Sequence, residues 1–252
     1  MLISRINIAG KKRWIEKAGN KYYLLNGDPY KSNLTRQPNS EFMNQMDVKF
    51  VNHYKPISVF GLAFNYKSLV GKKLEKQDPL IFFKSVNSIS YTPESFDFPN
   101  EYSKIWVECE LVIVIKKDCK NISLEKAKDY ILGYTMGSDM TGENKYGRDH
   151  HLAFSKGADN FAPIFNWVNT SPPKQLKMTT KINNKIFQVD YTSNRLWNDY
   201  KAVSELSKRF TLKAGDLIFT GTPAGAMDSL INKGDKVEHF IQNIGKLKFN
   251  IK

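Results

Sequence analysis

Apolar positions along most of this chain fall in short runs separated by turn residues. Apolar and polar residues mix at strand spacing in Ile6-Asn7-Ile8-Ala9-Gly10, Arg13-Trp14-Ile15 and Lys21-Tyr22-Tyr23-Leu24-Leu25. Ala18-Gly19-Asn20 and Asn26-Gly27-Asp28 interrupt them as turns. The polar stretch from Lys31 to Ser40 reads as a loop. From Ile57-Ser58-Val59-Phe60 onward the pattern predicts strands over 57–62, 80–84, 106–116, 131–138, 181–187, 216–220, 236–240 and 245–251. Two segments have helical character. Ser123-Leu124-Glu125-Lys126-Ala127 starts on an N-cap serine followed by helix formers, and Asn198 to Phe210 puts Val203, Leu206 and Phe210 at helical spacing. Many strands, few helices and no strand–helix alternation argue against a doubly wound nucleotide-binding sheet. The predicted fold class is mixed, β-rich α+β, with a small N-terminal β-rich accessory domain over 1–54 and the main domain over 55–252.

The run Trp106-Val107-Glu108-Cys109-Glu110-Leu111-Val112-Ile113-Val114-Ile115 carries the most chemistry. Residues i and i+2 of a strand share a face, so Glu108 and Glu110 point the same way, close enough to share one ion. Two carboxylates beside so apolar a strand need positive compensation, and a hard divalent cation supplies it through oxygen ligands. A bare Glu-x-Glu is more often a solvated face. Gly133-Tyr134-Thr135-Met136-Gly137-Ser138-Asp139 shifts that balance, because it is a second apolar run that ends on an aspartate. Cys109 faces away from both glutamates and is expected to pack as a small hydrophobe.

Thr220-Gly221-Thr222-Pro223-Ala224-Gly225 follows the apolar run Leu217-Ile218-Phe219 as a glycine-rich turn. Backbone N–H groups of such a turn, with the Thr222 hydroxyl, can hold a carboxylate or carbonyl oxygen. The Gly-Lys-Ser/Thr ending of a phosphate loop is missing.

Composition narrows the classes. At 252 residues, 41% hydrophobic and 25% charged, the chain matches an ordinary globular protein. No apolar run approaches the roughly 20 residues of a membrane-spanning helix, and the opening residues lack a signal-peptide pattern, so a cytoplasmic protein is expected. A net charge of +13 raises the question of nucleic acid. The lysines are scattered, however, and no nucleic-acid motif accompanies them, so a solvated basic surface is expected rather than a nucleic-acid or membrane partner, and its field would also attract a small anionic substrate.

In order, Gly61-x-x-x-Asn65-Tyr66, Pro79-Leu80-Ile81-Phe82-Phe83-Lys84, Glu108-x-Glu110, Gly133-Tyr134 through Asp139, Ser155-Lys156, Gly215-Asp216 and Thr220-Gly221-Thr222-Pro223-x-Gly225 resemble the fumarylacetoacetate hydrolase superfamily from about residue 57 to the C-terminus. The resemblance implies a β-sandwich or β-roll core that holds the metal, with the N-terminal β domain as an accessory. It also implies a homodimer and Mg2+ or Mn2+ (Ca2+ in crystals) on Glu108, Glu110 and Asp139. Lys156 is then the catalytic lysine, shuttling a proton or holding an enolate oxygen, with a pKa that a nearby cation can lower. Asn65, Tyr66, Gly221 and Thr222 are expected at the substrate.

Two departures from the family matter. Hydrolytic members carry a histidine and a glutamate on a mobile lid after the Asn-Tyr pair, where this chain has Leu69 and Lys72 on a lid expected over 65–78. A common substrate-binding arginine after the aspartate is replaced by Glu143, with Arg148, His150 and His151 close behind. The expected activity is therefore keto–enol tautomerisation or double-bond isomerisation of small oxo-acid or β-dicarbonyl compounds. The alternatives are an acylpyruvate-type C–C hydrolase or oxaloacetate decarboxylase, and a catalytically idle member that only binds a metabolite.

Overall fold

The structure is a computed structural model that describes residues 1–252 apart from 44–48, 53 and 75. At its centre lies the strand Cys109–Ile115, antiparallel to Ile131–Ser138 on one side and to Leu217–Phe219 on the other. All seven residues of Cys109–Ile115 are buried. Alternation sends Cys109, Leu111, Ile113 and Ile115 into one core and Val112 and Val114 into the other. A strand apolar on both faces belongs in the middle of a fold covered on both sides.

The first core lies between this sheet and a second sheet built from Lys177–Ile182, Lys185–Tyr191, Lys236–Ile241, Gly245–Ile251 and Ser95–Phe96. Met178, Ile182, Val237, Ile241 and Leu247 come from that sheet, and Ala202, Val203 and Leu206 from the helix α3, Asp199–Arg209. Beyond Leu217–Phe219 the main sheet continues through Val59–Ala63 to Leu80–Lys84. On the other flank, Val168–Asn169 joins it to the N-terminal strands Leu2–Ile8, Lys11–Ala18, Lys21–Asn26 and Thr35–Met43.

Several predicted boundaries move. The 181–187 strand is two strands of a hairpin turning at Asn183-Asn184, both left-handed (φ 51° and 67°). Asparagine tolerates that conformation without glycine, so the turn carries no glycine signal. The 31–40 loop gives way to the strand Thr35–Met43, whose polar residues suit the edge of the sheet. The predicted helix at Ser123 shrinks to a 3-10 turn over Ala127–Tyr130, with Leu124 left half exposed. It lacks an apolar face, and the strand at Ile131 follows at once. The second helix holds, because the Asn198 side chain accepts from Lys201 N and caps α3.

The 106–116 run breaks at Val107-Glu108. Ile105–Trp106 pairs with Thr141–Gly142 and Leu230–Ile231 in a small third sheet, and the chain enters the main sheet only at Cys109. The partner run changes sheets too, at Asp139-Met140, and Asp139 N donates to Glu108 O at 2.9 Å across the two switch points. No helix among the described residues is long and apolar enough to cross a membrane.

Candidate metal and substrate centre

Glu108 and Asp139 sit on those two switch points, and Glu110 lies opposite Gly137 in the ladder. One carboxylate oxygen from each of Glu108, Glu110 and Asp139 lies within 4.8 Å of the others. Strand switching is what makes this possible, because a strand leaving its sheet opens the core at its end and exposes ladder positions to a cavity.

Two lysines close the group. Lys156 Nζ donates to Asp139 Oδ2 at 2.6 Å, Thr141 Oγ1 at 2.5 Å and Glu108 Oε2 at 3.1 Å. Lys84 Nζ reaches Asp139 Oδ1 at 2.6 Å and the Met140 carbonyl at 3.3 Å. Both oxygens of a carboxylate only 1% exposed therefore face ammonium groups. Lys156 stands on the short helix α2, Ala153–Gly157, and the Asp149 carboxylate sets its start by accepting from Phe154 N and from Ser155 N and Oγ.

Burial pushes Glu108 and Glu110 up, and for Glu110 the charges of Asp139 and Glu108 push further. Burial acts on Asp139 in the same direction, but Lys156 and Lys84 outweigh it and hold that carboxyl below its usual value. Burial opposes the Lys156 charge, yet Asp139 and Glu108 overcome it and raise the lysine. With carboxylates as its nearest neighbours, Lys156 keeps its proton. Burial wins at Lys84, which is lowered despite Asp139. Glu110 has no ammonium partner among the described hydrogen bonds; its Oε2 accepts Gly221 N at 2.6 Å. Gly221 holds a left-handed φ of 92°, and a Cβ there would lie 2.7 Å from Leu62 O, so only glycine brings that N–H to Glu110.

These groups lie at the floor of a cavity of about 340 Å³, which Lys156 and Thr222 also line. The Thr222 hydroxyl is already engaged, donating to Cys109 O and accepting from Gln188 Nε2. The chain of bonds runs on from Gln188 Oε1 through Thr180 Oγ1 to His239, whose Nε2 meets Ser138 Oγ at 2.9 Å beside Asp139. Asn65 and Tyr66, expected at the substrate, are fully buried outside the cavity lining. Asn65 ties Thr220 O and the backbone of Trp197 together, and the Tyr66 hydroxyl meets Met178 Sδ. Gly221 likewise reaches the cavity only through Glu110.

The helix α1, Lys67–Leu74, forms part of the expected lid and breaks at Gly71 (φ 65°, ψ 174°). Leu69 lines the cavity, whereas Lys72 is exposed. Glu143 accepts from Ser103 away from the cavity, and Arg148, His150 and His151 stay exposed outside its lining. The residue that sequence reasoning missed is Lys84. A signal existed: in Leu80-Ile81-Phe82-Phe83-Lys84 it shares a strand face with Phe82, and both are buried.

The sequence profile for the fumarylacetoacetate (FAA) hydrolase C-terminal domain matches residues 58–252. The chain belongs to the fumarylacetoacetate hydrolase family. The family's enzymes include similar proteins of known name. A 5-carboxymethyl-2-hydroxymuconate delta-isomerase from Mycobacterium smegmatis superposes with a TM-score of 0.85 at 27% identity, covering 100% of this chain and 99% of that one. The 4-hydroxyphenylacetate degradation bifunctional isomerase/decarboxylase of Salmonella dublin is 30% identical over 200 residues, which are 75% of this chain and 46% of that protein. A fumarylpyruvate hydrolase from Pseudomonas aeruginosa, solved in complex with Mn2+ and pyruvate, shares the fold with a TM-score of 0.74 at 24% identity, over 82% of this chain and 93% of that one.

Proposed function

We propose that the protein is a Mg2+- or Mn2+-dependent keto–enol tautomerase or double-bond isomerase acting on small anionic oxo-acid or β-dicarbonyl compounds. The observation that carries this is a cavity whose floor holds three carboxylates and a protonated lysine, with Leu69 in place of a water-activating base. The donor set fits a hard cation, since three oxygen ligands converge and Glu110, buried without an ammonium partner, needs positive charge. Glu108, Glu110 and Asp139 would hold the ion. When bound, it supplies Lewis-acid polarisation of the substrate's paired oxygens.

The chain's own groups do the rest. Lys156 holds a proton at Nζ beside the carboxylates at the cavity floor, where it can protonate an enolate carbon or steady the enolate oxygen. Lys84 and Thr141 fix Asp139 and Lys156, so the lysine faces the cavity in one orientation. Hydrolysis would also need a base to activate water, and no histidine lines the cavity among the described residues. The decarboxylase half of the Salmonella relative's name supports carbon–carbon cleavage as the second reading.

The test supplies oxaloacetate and acylpyruvates with Mg2+ or Mn2+, following enol absorbance and released products separately. Enol–keto exchange should outrun product release, and Lys156→Ala should abolish exchange while metal binding by calorimetry persists. Efficient release of pyruvate or a carboxylic acid would replace this reading with the second, and silence of both signals would leave a metabolite-binding protein.

A further inference from the structure

The cavity is polar only at its floor. Apart from the three carboxylates, Lys156 and Thr222 its lining is apolar, and Phe82, Leu69, Leu152, Phe64, Leu80 and Met227 are among the large side chains. The burial gradient orients these residues: Phe82 is 4% exposed, whereas Leu80, Phe64 and Met227 are 48%, 53% and 72% exposed. Large apolar side chains grouped around an opening leave apolar surface in water that an occupant can cover. Two of them are also held against backbone preference. Phe64 and Leu152 both adopt left-handed φ, 60° and 57°, a region where a bulky residue is an outlier. Such strain persists where the surrounding structure imposes it, and it gathers at binding sites.

Charge points the same way. Among the described residues lining the cavity, Lys156 is the sole cation, and Asp139, Glu108 and Thr141 take its donors. A carboxylate at the mouth would lose water against phenylalanine, leucine and methionine, with no free cation among the described lining residues to receive it. The substrates in the names of the similar isomerase and hydrolase carry two or more carboxylates.

We infer that this chain takes an oxo acid whose far end is an uncharged apolar group, alkyl or aryl, resting on Phe64, Leu80 and Met227, and that it disfavours a second carboxylate there. The inference rests on the proposed oxo-acid reading of the floor. The head reaches the carboxylate floor, while the tail covers the apolar rim and excludes water from the cavity.

Calorimetry on the Mn2+-loaded protein tests this with three probes that share a 2-oxo-acid head: pyruvate, 2-oxo-4-phenylbutanoate and 2-oxoadipate. The phenyl compound should bind at least roughly tenfold tighter than pyruvate, the scale of burying two methylene groups. The diacid should bind no tighter than pyruvate. Met227→Ser and Leu80→Ser should shrink the phenyl advantage to less than about threefold, and Met227→Lys should swing preference toward the diacid. If pyruvate binds with metal but the diacid wins, or the tail makes no difference in parent and variants alike, this inference falls and the oxo-acid reading stands. If no probe binds with metal, both fall.

Discussion

Lys84 gives the sharpest test of how the carboxylate group is held together. Its ammonium is wholly buried, 2.6 Å from an Asp139 carboxylate that is 1% exposed. Removing one partner of a buried pair leaves a desolvated charge and costs about 3–5 kcal/mol. Two features move Lys84→Met to the lower end. Lys156 still holds the other Asp139 oxygen at 2.6 Å, and Lys84 itself is destabilised by burial. About 3 kcal/mol is therefore expected, or about 6–12 °C in Tm for a chain of this size. The formal charges add a second, independent expectation. Three carboxylates face two ammoniums in the parent and one in the variant, so a dication should bind the variant at least as tightly. Thermal unfolding with and without Mn2+, paired with calorimetry, reads both. Metal at about 100 times Kd should return about 2.7 kcal/mol, most of what the variant lost. An unchanged Tm without metal, or weaker Mn2+ binding in the variant, would refute the reasoning.

His239 should make the protein acid-sensitive. It is fully buried between Ser138 and Thr180, and burial lowers its pKa to about 3. The unfolded state then binds more protons between its own value near 6.5 and that lowered value, so stability falls as pH drops through this window. About 2 kcal/mol should be lost between pH 7 and pH 5, and denaturant titrations of His239→Gln across that range should lack this slope. Gly221→Ala should cost about 2 kcal/mol or more through left-handed strain and contact with Leu62 O. It should also weaken Mn2+ binding in calorimetry by displacing the N–H that holds Glu110; full retention of that affinity would remove Gly221 from the site.

The elements legible in the sequence are those whose own pattern decides them. Ile131–Ser138 and Leu80–Lys84 end where their apolar runs end, and α3 carries both a cap and an apolar face. The missed elements are set from outside. The helix α2 is too short to show a period and is started by Asp149, and Thr35–Met43 is a polar strand that only its partner Lys21–Asn26 makes a strand. The family resemblance puts Asn65 and Tyr66 at the substrate, whereas their side chains bond to Thr220, Trp197 and Met178. No local pattern announces those partners.

The centre itself was legible in sign but not in balance. Alternation along one apolar run puts Glu108 and Glu110 together, and the family resemblance adds Asp139 at the end of a second run, so the negative half of the site is legible. The positive half does not. The chain has 38 lysines and arginines, and a lysine closing an apolar strand looks like any solvated strand end. What distinguishes Lys84 is that its strand joins the sheet through Val59–Ala63, two strands from Cys109–Ile115, with its even-numbered face inward. Only sheet order brings its ammonium to a carboxylate more than fifty residues away. The same order explains how the chain holds five charged side chains together, four of them buried, at little net charge. Both carboxylate-bearing strands change sheets at the same level, and the strand Leu80–Lys84 and the helix α2 close the group there with one lysine each.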